Sequence, residues 1–118
     1  MAIICVMVSD LIFSSKIRST AQTLEVELIM ARTQEKLQAE IAAVGLLIVD
    51  LNLEGDDPIE MIRTAAKQQN PPQIIAFCSH IQTELADAAS KAGADAVLPR
   101  SKFVLELPEI LAGTRKAS

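Results

Sequence analysis

The chain alternates two kinds of segment. Runs that are apolar at nearly every position, AIICVMV (2–8), GLLIVD (45–50), QIIAFC (73–78) and ADAVL (94–98), are separated by stretches whose apolar residues recur every three or four positions. A strand apolar on both faces must be covered on both faces, which is the condition of a parallel sheet lying between helices. The intervening stretches supply the cover. Ile12, Ile17 and Ala21 fall at helical spacing, as do Leu37, Ile41 and Val44 behind the candidate N-cap Thr33. Asp57-Pro58 opens a helix that turns Ile59, Ile62 and Ala66 inward, and Asn70-Pro71-Pro72 stops it. Residues 81–92 set Leu85, Ala88, Ala89 and Ala92 on one face and end at Gly93. Residues 24–30 (LEVELIM) alternate as an edge strand does. The last helix is expected to be short, near Pro108 to Ala112, because proline suits only a first turn. Each connection is long enough for a right-handed crossover, so the expected architecture is α/β, a doubly wound five-stranded parallel sheet. The 118 residues contain no repeat or linker composition and suit one domain, 1–118.

Composition narrows the function. Phe13, Phe77 and Phe103 are the only aromatic residues, so the core is aliphatic. A net charge of -4 with scattered Lys and Arg argues against nucleic acid. Cys5 and Cys78 lie inside expected strands and read as buried, reduced thiols. No run approaches a membrane span, and Ile3 to Val8 is too short for a signal core, so a soluble cytoplasmic domain is expected, with no membrane partner. Neither GxGxxG, GxxxxGK[ST] nor GxSxG occurs, which disfavours dinucleotide enzymes, NTPases and serine hydrolases. His80, the single histidine, has no cluster of metal-ligand spacing around it and reads as a loop residue.

What remains is a pattern of strand ends. Four of the expected strands finish in polar residues: Ser9-Asp10, Asp50, Cys78-Ser79-His80 and Arg100-Ser101. In a parallel sheet these tips converge on one crevice at the carboxyl edge, where open α/β sheets bind ligands. That crevice holds two acids, a small nucleophile-like side chain and a guanidinium.

This order of residues, with VDLNLEG after the third strand and KAGADAVLPRSKF through the fifth, resembles the receiver domain of two-component response regulators over nearly the whole chain. The resemblance implies a flavodoxin-like sheet of order 2-1-3-4-5. It implies Asp50 as phosphoacceptor, with Asp10, Asp50 and the backbone carbonyl of Asn52 as Mg2+ ligands. Arg100 stands where the family has lysine. The strand-4 Thr/Ser position falls on Cys78, or on Ser79 after a shift of one residue. Departures accompany the matches: Ser9 replaces the first acid, Ser101 the proline after the lysine, and Val97 a switch aromatic.

These departures bear on chemistry. Phosphoryl transfer to a carboxylate needs a divalent cation and a second positive group. Ser9 removes an anionic ligand, and Arg100, planar and bidentate, is expected to clamp Asp50 from a neighbouring strand tip. Mg2+ binding is therefore expected to be weak or absent. The expected function is an atypical, degenerate receiver-like signalling domain, not an enzyme. It would act by protein–protein contact with a histidine kinase or downstream effector, constitutively through helix 4, strand 5 and helix 5. The alternative is a working receiver phosphorylated on Asp50 by a histidine kinase. A flavodoxin-like ligand-binding domain is the third reading.

Overall fold

The computed structural model describes residues 3–79 and 83–116. Strand β1 (Ile3–Met7) leads into helix α1 (Leu11–Leu24), followed by β2 (Leu28–Met30) and α2 (Gln34–Glu40), which ends in a 3-10 turn, Ile41–Ala43. Then come β3 (Val44–Asp50), α3 (Pro58–Ala66), β4 (Gln73–Cys78), α4 (Thr83–Ala92), β5 (Ala96–Pro99) and α5 (Arg100–Lys116). All strand pairs are parallel, in the order β2-β1-β3-β4-β5. Placing β1 second leaves helices on both faces of the sheet; β1, β3 and β4 are buried almost throughout, while β5 is only partly buried.

Strand alternation sorts the core into two layers. Cys5, Met7, Leu47, Val49, Ala76 and Cys78 face α2, α3 and α4. Ile4, Val6, Leu46, Ile48, Ile75 and Phe77 face α1 and α5. The expected caps are present: Thr33 Oγ1 accepts from Lys36 N, and Asp57 accepts from Ile59 N with Pro58 at the first helical position.

Three expectations are corrected. The last helix is long, not short: α5 spans 17 residues with Pro108 inside it. An interior proline removes a backbone donor and costs about 3 kcal/mol. Phe103, Leu107 and Leu111, four residues apart, are almost wholly buried against α1 and the sheet. At about 1.5–3 kcal/mol for each buried side chain, that stripe outweighs the proline. The second correction concerns residues 24–30, which are not one strand. Helix α1 continues to Leu24, and Glu25 turns the chain at φ 56° before β2 begins at Leu28. Leu24, Val26, Leu28 and Met30 still pack toward one layer, so the alternation was real but begins in a helix cap. Third, the tips of β3 and β5 are not neighbours, because β4 lies between them. His80, Ile81 and Gln82 lie outside the described residues.

Candidate functional site

Asp50 ends β3 and is 2% exposed. Its Oδ1 accepts from the backbone N–H of Asn52 at 2.8 Å, and its carbonyl accepts from Leu53 N at 3.0 Å, a tight Asx-type turn. The turn is pinned on both sides. Asn52 Oδ1 accepts from Ser79 N at 3.0 Å, and Ser9 Oγ accepts from Glu54 N at 3.2 Å. Ser9, where the family pattern carries an acid, thus serves here as a neutral acceptor for the loop.

Asp10 follows β1 and caps α1. Its Oδ1 accepts from Ile12 N at 2.9 Å and from Phe13 N at 3.0 Å. Its Oδ2 lies 3.8 Å from Arg100 Nη1, and Asp50 Oδ2 lies 3.7 Å from Arg100 Nη2. Burial pushes the Asp50 carboxyl above the usual carboxylate range and Asp10 adds to the shift, while the Asn52 hydrogen bond and Arg100 oppose it. Ser9, Asp10, Asp50, Asn52, Glu54 and Arg100 line a cleft of about 200 Å³.

Arg100 reaches Asp50 by crossing β4. Phe77, the β4 residue in register with Asp50, lies beneath the crossing. The guanidinium carbon is 5.8 Å from the Phe77 ring centroid and 4.8 Å from that of Phe13. Both distances are within cation–π range. The composition shows three phenylalanines but not that they meet under a cation. The available signal is spacing: Phe13 follows Asp10 by three residues, Phe103 follows Arg100 by three, and Phe77 precedes Cys78.

The structure therefore brings Asp10, Asp50, Asn52 and Arg100 together. Cys78 and Ser79 do not line this cleft. Cys78 is buried in the aliphatic layer beside Ala89 and Ala92. Ser79 is exposed and borders a separate groove between α1 and α5. Val97 packs partly buried against the aliphatic layer. Burial pushes the Cys5 thiol up to about 12, which makes it inert.

The donor set fits a divalent cation poorly. Mg2+ requires an octahedral shell of oxygens. Here each carboxylate has one oxygen committed to backbone N–H groups and the other facing the guanidinium. Among the described residues, no three His, Cys, Asp or Glu side chains are grouped to hold a metal. No helix among them is long and apolar enough to cross a membrane.

No protein-family profile matches the chain, and no curated protein matches it in sequence. Solved structures do match in shape. The BeF3-activated DrrB receiver domain superposes with a TM-score of 0.81 at 18% identity, covering 98% of each chain. A CheY-like receiver domain protein from Methanospirillum hungatei gives 0.78 at 18% identity, covering 100% of this chain and 99% of its own. A response regulator from Burkholderia pseudomallei, solved with a phosphorylated aspartic acid, calcium ion and citrate, gives 0.76 at 18% identity, covering 99% of this chain and 72% of its own. The Mn2+-bound form of response regulator Rcp1 gives 0.74 at 16% identity, covering 98% and 93%. The chain has the fold of response-regulator receiver domains.

Proposed function

We propose that residues 1–118 act as an atypical receiver-type signalling domain of two-component systems, working through protein–protein recognition and catalysing no reaction. The position of Arg100 carries this reading. A guanidinium that spans both Asp10 and Asp50 meets the electrostatic need of the carboxylates from within the chain. A phosphoryl group on Asp50 Oδ2 would have to enter between two groups already paired, with one fewer acid nearby to recruit Mg2+. Mg2+ binding is therefore weak or absent. The switching parts are altered as well. Cys78 supplies a poor hydrogen-bond donor in place of a hydroxyl, and Val97 is not aromatic.

Protein recognition is supported by exposed apolar side chains. Leu11 and Ile12 on the first turn of α1 and Leu105 on α5 are 70%, 85% and 83% exposed. Among the described residues, these three lie on α1 and α5. The partner is a histidine kinase or a downstream effector protein. The negative net charge disfavours nucleic acid.

Intact mass after incubation with acetyl phosphate and Mg2+ tests the reading. The wild-type mass should stay unchanged. A second reading, a working phosphoacceptor, is favoured by one observation: Asp50 opens onto the cleft beside Asp10 and Asn52. A gain of one phosphoryl group in the wild type, abolished by Asp50→Asn, would establish that reading instead.

A further inference from the structure

We infer that Phe13 and Phe77, the two rings under the guanidinium, form a shelf that holds Arg100 as the resident cation of the acidic cleft, with Phe13 as its positioning residue. The inference rests on the role given to Arg100 above.

All three phenylalanines are in one cluster, and the chain has no Trp or Tyr. The Phe13–Phe77, Phe13–Phe103 and Phe77–Phe103 centroids are 5.0, 5.9 and 4.5 Å apart. Phe77 and Phe103 are wholly buried and Phe13 is 8% exposed, so the rings are fixed by the core and not by the cation. Arg100 Nε is buried and makes no hydrogen bond among the described residues. The stem thus lies on carbon. The two carboxylate contacts, at 3.7 and 3.8 Å, are longer than the roughly 3.2 Å limit of a good N–H···O hydrogen bond. Carboxylates alone would draw a free guanidinium closer. Its height above them is set from below, by the rings. Asp10 completes the arrangement, because the carboxylate that faces the guanidinium also caps the helix turn that presents Phe13.

A positive group therefore already occupies the space between Asp10 and Asp50. A divalent cation must displace it from the rings. Metal affinity is then governed by a phenylalanine that touches no metal.

The test is Mn2+ titration of 15N-labelled protein, read by paramagnetic broadening of the Asn52 amide, with the Arg100 Nε–Hε signal recorded in parallel. Arg100→Ala should tighten Mn2+ binding. Phe13→Leu and the near-isosteric Phe13→Met should tighten it about two- to tenfold, the range a partly desolvated cation–π contact supports. Both should also move the Nε–Hε signal out of its ring-shifted position. Phe13→Trp, which keeps a ring, should bind Mn2+ as the wild type does. So should Phe103→Leu, which loosens the same core without touching the guanidinium. If Arg100→Ala binds more tightly while both Phe13 variants match the wild type, the shelf is disproved and the role of Arg100 stands. An equal gain in Phe103→Leu would reduce the effect to core loosening and also overturn the inference. No gain in Arg100→Ala would instead overturn the role assigned to Arg100 itself.

Discussion

The two faces of the sheet are built from different material. Toward α2, α3 and α4 the layer contains aliphatic residues, Met7, Met61 and the two thiols, with Ala65, Ala89 and Ala92 among the helix residues. Toward α1 and α5 it contains all three phenylalanines. The aliphatic side ends in neutral packing: a Cβ at Gly93 would lie 2.4 Å from that of Ala66. The aromatic side ends at a charge, the guanidinium of Arg100. Parity decides which groups belong to which side. Leu46, Ile48 and Asp50 alternate with Leu47, Val49 and Leu51, so β3 delivers its carboxylate to the aromatic side. Phe77 joins that side, and Cys78 points the other way. The site's charges thus rest on one layer only, and the other is free to be plain core.

The comparison can be broken most directly by removing a ring. Phe103→Ala should lower unfolding free energy by about 3–5 kcal/mol, since it opens a cavity under a fully buried stack. Urea denaturation measures this. On the other side, Gly93→Ala should cost about 2–4 kcal/mol. Gly93 sits at φ 126°, where a side chain is strained, and its Cβ would push α3 and α4 apart. A larger loss for Gly93→Ala than for Phe103→Ala would show that helix approach on the aliphatic side matters more than the aromatic stack.

Much of this asymmetry is invisible in the sequence, for physical reasons. Doubly covered strands advertise themselves, because neither face tolerates polar residues; QIIAFC coincides with β4 at both ends. Caps are legible for a similar reason, since Thr33 and Asp57-Pro58 act within one helical turn. The approach of Asp10, Asp50 and Arg100 follows once the strands are parallel. The length of α5 does not, because the local proline rule is overridden by burial of Phe103, Leu107 and Leu111. Nor does the shelf, which depends on three segments distant in sequence meeting around β4.

A smaller effect sharpens the electrostatic half of the comparison. Burial raises the Asp50 carboxyl above its unfolded value, so between those two values the folded state holds more protons than the unfolded one. Stability therefore falls as pH rises through that window, and the ionised carboxylate weakens the fold above it. Asp50→Asn should be more stable than the wild type at neutral pH, and the gap should close on acidification through the carboxylate range. Parallel urea midpoints across pH would check this. A gap that widens toward acid would mean that Arg100 stabilises the carboxylate more than burial penalises it.

The smallest effect separates the helix ends on the two sides. Helix α1, on the aromatic side, ends with Glu25 at φ 56° and ψ 41°, while Glu25 N donates to Gln22 O and Val26 N to Ala21 O. This is a Schellman closure at a position where glycine is preferred. A residue with a side chain pays roughly 1–2 kcal/mol in that left-handed region. Glycine avoids the cost but gives up about 0.5–1 kcal/mol through the greater freedom of the unfolded chain. Glu25→Gly should therefore raise the urea midpoint by the equivalent of about 0.5–1 kcal/mol. Helix α3, on the aliphatic side, ends instead at Lys67 with φ -85° and ψ -4°, a right-handed conformation that any residue adopts. The same substitution there, Lys67→Gly, recovers no strain and incurs only the entropy loss, so it should lower the midpoint by a similar amount. Opposite signs at the two helix ends would show that α1 is closed by a strained backbone and α3 is not. A loss at both positions would mean that the Glu25 side chain itself helps to hold the turn onto β2.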